Sequence, residues 1–176
     1  MRIEELRKLL RRSKLDSILI FDQANIRALT GVNCDAGCLE LAEPDKPPRA
    51  VFYTDFRYVP MVHRVAPDLP VLDLKRFLAR KSTGKRLDRI GYESSISHSR
   101  FLKLQKKFPR TKFVDVSKDL QLLRAVKTPD EQDLLRAAVA LNDDIWTAAQ
   151  REFRPGMTER EMARIIRHMM IECGDG

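Results

Sequence analysis

Long apolar runs are missing from this chain. The longest, residues 18–21 and 137–141, fall far short of the roughly 20 apolar residues a membrane-spanning helix needs. Cysteine is sparse and odd in number (Cys34, Cys38, Cys173), which argues against a disulfide framework and predicts reduced thiols in a cytoplasmic protein. There is no internal repeat and no low-complexity stretch. G-x-S-x-G and HExxH are absent, and His63, His98 and His168 stand singly, so neither a serine nucleophile nor a helix-borne zinc pair is encoded. CDAGC brings no second Cys or His pair with it. In an extended segment its cysteines would lie on the order of 13 Å apart, and structural zinc wants four ligands. STGKR lacks the first glycine and the preceding strand of a phosphate loop, so its glycine reads as a turn. Asp143 and Asp144, adjacent on a helix, point about 100° apart and make a poor carboxylate pair.

Charge is abundant but unevenly distributed. The net +8 divides into 26 Lys/Arg against 15 Asp/Glu over residues 1–126, and 7 against 10 over residues 127–176. The basic part has the sign for nucleic acid, but its cations are scattered. Even KRFLARKSTGKR lacks the aromatic interleaving on which bases stack, which speaks against that partner. The shift at AVKTPDE divides the chain into residues 1–124 and 125–176.

The elements follow from period and punctuation. MRIEELRKLLRRSK places Ile3, Leu6, Leu9 and Leu10 on one face, an amphipathic helix over about 2–13 and not a signal peptide. DSILIFD predicts a strand buried on both faces. QANIRALTG reads as a turn, with Gly31 as a natural helical or turn stop. Gly37–Ala42 and Arg49–Thr54 read as strands joined by the proline-rich EPDKPP. In TDFRYVPMVHRVA, Thr54 or Asp55 is expected to cap a helix whose inner side carries Tyr58, Met61, Val62 and Val65, with Pro60 in its first turn. PVLDL, RIGYE and KFVDVS read as strands, with helices LKRFLARK and SHSRFLKLQKKF between them. The alternation implies an α/β domain with a mixed sheet.

Beyond it, VSKDLQLLRAVK reads as a connecting helix, and two longer helices follow without a strand. Thr128, Pro129 and Glu131 form a capping box with proline at the first helical position. Leu134, Ala138, Leu141, Ile145 and Ala148 are the apolar positions of that helix. Thr158 and Glu161 repeat the box, ahead of Met162, Ile165, Ile166, Met169 and Cys173, which are expected to form a buried stripe.

Taken together, DSILIFDQANIRALTGV, VFYTDFRYVPMV, RIGYES and LLRAVKTPDEQDLLRAAVALNDDIWTAAQ, followed by RPGMTEREMARII, resemble the pita-bread metallopeptidases that include Xaa-Pro aminopeptidase, prolidase and creatinase. The family's linker pattern R-x-x-K-[ST]-x-x-E falls on Arg124, Lys127, Thr128 and Glu131. Its G-x-T-E falls on Gly156, Thr158 and Glu159. Phe56 departs from the pattern, standing where a small residue is common.

The resemblance implies a creatinase-type N-terminal α/β domain, then the first two helices of a truncated pita-bread domain. It implies a parent enzyme that hydrolyses X–Pro bonds with two divalent ions (manganese, cobalt or zinc), none of whose ligands or catalytic groups falls within residues 1–176. Asp175 comes too early to be the first of those ligands. This segment would then serve assembly, as a homodimer through its N-terminal domain, and access of short proline-containing peptides. Asn33 and Asp35, in residues 32–37, are the candidate substrate-facing positions, where an ammonium group or a partner's arginine would be met; a capped turn leading into the GCLEL strand is an equal reading of them. Arg57 and Tyr58 are expected to pack. A non-catalytic creatinase-like module that binds peptide or protein is the alternative.

Overall fold

The computed structural model describes residues 2–42, 49–79 and 87–173. EPDKPP, STGKR and Asp175 lie outside the described residues. Two compact units are formed, Met1–Val126 and Lys127–Gly176.

The first unit is built on a six-stranded sheet. Its strands are β1 (Ser17–Ile20), β2 (Gly37–Ala42), β3 (Arg49–Thr54), β4 (Val71–Asp73), β5 (Arg89–Tyr92) and β6 (Lys112–Asp115), in the order β4-β3-β2-β1-β5-β6. β2 runs antiparallel to both β1 and β3, whereas β3–β4, β1–β5 and β5–β6 are parallel pairs. Five strands therefore point one way, and β2 alone opposes them.

Alternation along the strands divides the core between the two faces of the sheet. On one face Ile18, Ile20, Leu39, Leu41 and Phe52 meet Leu6, Leu9 and Leu10 of α1 (Ile3–Arg12), Ile26 and Leu29 of α2 (Gln23–Thr30), Val62 of α3 (Val59–Val65) and Leu120 of α6 (Ser117–Ala125). On the other, Leu19, Cys38, Tyr53 and Ile90 meet Phe77 of α4 (Leu74–Ala79) and Leu104 of α5 (His98–Lys107). All four residues of β1 are buried, as expected of a strand covered on both sides. Each fully buried leucine or isoleucine here contributes about 1.5–3 kcal/mol.

Two local expectations are corrected. QANIRALTG is a helix, not a turn: the Asp22 carboxylate accepts from Asn25 N at 3.0 Å, and Gly31 closes the far end in the left-handed region at φ 79°. Eight residues with a cap at each end satisfy enough terminal N–H and C=O groups to hold two turns. At α3 neither Thr54 nor Asp55 is the cap. Thr54 is the last residue of β3 and donates its hydroxyl to Ala36 O at 2.5 Å, while Asp55 is engaged by Arg57; the helix starts after Tyr58 without a side-chain cap. Pro60 lies in the first turn as expected, and Val62 is buried, but Val65 is 43% exposed.

The second unit is a helix pair, α7 (Pro129–Glu152) and α8 (Glu159–Cys173). Both capping boxes form: Thr128 N donates to Glu131 at 2.8 Å and Glu131 N to Thr128 at 3.2 Å, and the Thr158–Glu161 pair repeats this at 2.7 and 3.3 Å. Only Ile145 and Ala149 of α7 are buried. Leu134 and Leu141 are exposed, Met162, Ile165, Ile166 and Met169 are half-buried, and Cys173 is exposed, contrary to its expected place in a buried stripe. None of the described helices is long and apolar enough to cross a membrane.

Candidate functional site

The parallel strands bring their C-terminal ends to one edge of the sheet, and each ends in an acid. Asp22 follows β1, Asp55 follows β3, Asp73 closes β4, Glu93 follows β5 and Asp115 closes β6. The chain turns from strand towards helix at these points, and backbone N–H groups there need acceptors. Asp22 accepts from Asn25 N at 3.0 Å, Asp55 from Arg57 N at 3.0 Å, Asp73 from Lys75 N at 2.7 Å and Asp115 from Ser117 N at 2.8 Å. Burial works against the Asp115 carboxylate, but bonds from Ser117 and Ser94 hold its pKa below the ordinary value.

Residues 32–37 lie at this same edge, because β2 enters the sheet there with Gly37 opposite Thr54. Val32 and Cys34 are buried and Asn33 and Asp35 are exposed, so the loop alternates inward and outward like an irregular strand. Its inner side is fixed by Thr54, whose hydroxyl donates to Ala36 O, and by Cys34 Sγ, 3.1 Å from that same carbonyl. Its outer side is fixed by Tyr58, whose hydroxyl donates to the Asp35 carboxylate. That bond raises the Tyr58 pKa, with partial burial adding to it.

The neighbouring turn is tied as firmly. Arg57 donates from Nε and Nη2 to the Asp55 carboxylate at 3.0 and 2.6 Å, and its guanidinium lies 5.3 Å from the Tyr58 ring centroid. The ion pair lowers the Asp55 pKa and raises that of Arg57. Phe56, between them, is 84% exposed. Tyr58 does pack against the core, as expected, but its hydroxyl also joins the α3 turn to the candidate loop. Asn33 and Asp35 are thus brought to one rim with Asp55, Arg57 and Tyr58. Among the described residues no group of three or more His, Cys, Asp or Glu is arranged to hold a metal ion.

Sequence reasoning passed over Glu93. It is 1% exposed, and its Oε2 accepts from Phe21 N at 2.6 Å and Asp22 N at 2.9 Å while Oε1 accepts from Asn25 Nδ2. Burial pushes its pKa up, the bonds from Asn25, Asp22 and Phe21 oppose this, and the nearby Asp22 carboxylate adds to the rise. The signal that could have found it is the recurrence of an acid at the end of each predicted parallel strand.

Fold and edge together define a mixed α/β domain with a preorganised polar rim, followed by a helix pair. Residues 2–126 match the model of the creatinase/prolidase N-terminal domain, and the chain belongs to that family. It is 26% identical over 179 residues to the uncharacterized peptidase YqhT of Bacillus subtilis, covering 99% of this chain and 50% of that protein. It is 23% identical over 169 residues to the Xaa-Pro dipeptidase of Pyrococcus furiosus, covering 96% of this chain and 47% of that one. The solved Xaa-Pro dipeptidase from Bacillus anthracis superposes with a TM-score of 0.83 at 23% identity, covering 97% of this chain and 48% of the other. The chain therefore spans about half the length of the curated relatives it matches.

Proposed function

We propose that this chain is the N-terminal portion of a metallo-aminopeptidase or dipeptidase that hydrolyses X–Pro peptide bonds, and that residues 1–126 serve assembly and substrate access, not catalysis. The family match and the Xaa-Pro dipeptidase relative support the reaction class. The observation that carries the access role is the way the strand-end acids are used. Each holds a group of its own or an adjoining turn, which suits a rigid wall and not a dinuclear centre, where carboxylates must converge on two ions about 3.5–4 Å apart. Two divalent ions, manganese, cobalt or zinc, would be held by residues outside 1–176 and would supply the activated water.

In this reading the rim of Asn33 and Asp35 faces the cleft, and it meets the ammonium end of a short proline-containing peptide or an arginine of a second subunit in a homodimer. Asp35 is suited to this because Tyr58 fixes one side of its carboxylate and leaves the group exposed. The test is steady-state kinetics of the longer protein on an X–Pro dipeptide. Asn33→Ala and Asp35→Asn are expected to raise KM about 5–10-fold with kcat within about two-fold, the signature of lost ground-state binding. Unchanged KM in both variants would remove the substrate-facing role.

A further inference from the structure

In an open parallel sheet the ligand crevice lies beyond the C-terminal ends of the strands, where the strand order reverses. Here the chain leaves β1 to one side through β2, β3 and β4, then returns to the other side as β5. The crevice is therefore the space between the residues that follow β1 and the residue that follows β5. That space holds Glu93. Two successive backbone N–H groups, Phe21 and Asp22, converge on one carboxylate oxygen, and the Asn25 side-chain amide donates to the other. Asn25 is itself only 7% exposed, and its Oδ1 is buried without a hydrogen-bond partner among the described residues. An amide oxygen left unsatisfied in the interior costs free energy, and the charge-assisted bond from Nδ2 of the same amide to the Glu93 carboxylate offsets that cost.

We propose that this crevice is a carboxylate-binding site whose resident ligand is the chain's own Glu93, and that it takes a free small carboxylic acid, formate or acetate, once that side chain is shortened. Two donors on one oxygen and one on the other match a planar carboxylate. A phosphate brings more charge and more oxygens than these three donors serve, and the Asp22 carboxylate beside the site repels it further. The other charged and titratable groups near the site are Arg100, whose guanidinium lies 5.0 Å from the Phe21 ring centroid, and the buried Cys38 thiol. Burial makes the crevice hold a protonated carboxyl more readily than water does, so uptake of the free acid strengthens as pH falls. Filling of this crevice from within also anchors the start of α2, whose far end at Gly31 leads into residues 32–37.

The experiment uses the 176-residue chain with Glu93→Gly and Glu93→Ala. Thermal unfolding is followed while sodium formate or acetate replaces sodium chloride at constant ionic strength, with phosphate as a further arm. Both variants are expected to melt several degrees below the native chain. Formate or acetate should restore part of the loss with a saturable dependence, steeper at pH 5.5 than at pH 7.5, while phosphate does not and the native chain does not respond. Absence of saturable restoration, or an equal response from the native chain, would overturn the proposal. Should neither variant fold, Glu93→Gln supplies the test by amide hydrogen exchange. Its side-chain oxygen still accepts from Phe21 N and Asp22 N, and its new N–H finds the idle Asn25 Oδ1 after that amide turns over. Slow exchange at Phe21 and Asp22 is expected; exchange as fast as that of exposed loop amides contradicts the site.

Discussion

Glu93 concentrates the chemistry of the first unit in one side chain. It is a carboxylate held in the interior by three donors, with burial outweighing those donors and raising its pKa above the ordinary carboxyl range. A raised folded-state pKa means that the folded chain binds this proton more readily than the unfolded chain does. The stability it contributes is then fully present below the unfolded value and lost as pH rises through the folded one. Denaturant titrations of the native chain and Glu93→Gln should show the native chain gaining on the variant as pH falls from about 7 to about 4. A difference that stays constant across that range would mean that Glu93 does not titrate in the folded state. Nothing in RIGYE reveals this role, because hydrophobic period places the strand and is silent on what an acid just past its end will meet 70 residues back along the chain. Asn33 and Asp35 were legible as a loop after a TG stop, but the Tyr58 partner of Asp35 was not, since it lies on a different element.

At the scale of elements, the strands and every described helix but α2 were readable. β2 and β3 fall within the bounds that alternation and flanking proline gave them, and both capping boxes form as T-P-D-E and T-E-R-E imply. α2 escaped because two turns give no clear period, and its start depends on a carboxylate that also reads as a turn residue. α3 kept Met61 and Val62 on its inner side but lost Val65 to solvent, and it lost its cap because Asp55 found a stronger partner in Arg57 than in a helix N–H. Two substitutions separate these effects. A Cβ at Gly37 would lie 2.6 Å from Phe52 Cζ and 3.1 Å from the Tyr53 carbonyl, so Gly37→Ala must shift a buried ring or the β3 backbone. It should destabilise the first unit by about 1–3 kcal/mol in chemical unfolding, and a neutral result would show that β2 and β3 can separate at no cost. Thr128→Ala removes one half of a capping box and should lower the stability of α7 by about 1 kcal/mol, read as faster amide exchange in its first turn.

For the whole molecule the contrast between the two units is the main feature. Residues 1–126 bury a complete core on both faces of their sheet. The helix pair buries almost nothing, and Leu134 and Ile171 are 72% and 74% exposed. The composition foreshadowed this division through its change of sign at AVKTPDE, but it could not foretell how little of the helical stripes would find cover, since apolar spacing marks a face and not its partner. Exposed apolar faces of this kind drive association. Sedimentation of the 176-residue chain should therefore depend on concentration more strongly than that of a chain ending at Val126. Identical behaviour of the two would place any self-association in the first unit, where the proposed homodimer contact lies.

The proposed division of labour puts access and assembly in these residues and hydrolysis in residues outside them. Turnover of an X–Pro dipeptide with added Mn²⁺, measured side by side for purified residues 1–176 and for the longer protein, tests it most directly. Hydrolysis by the longer protein and none by residues 1–176 is the expected result. Turnover by residues 1–176, or an inactive longer protein that still binds peptide, would contradict it.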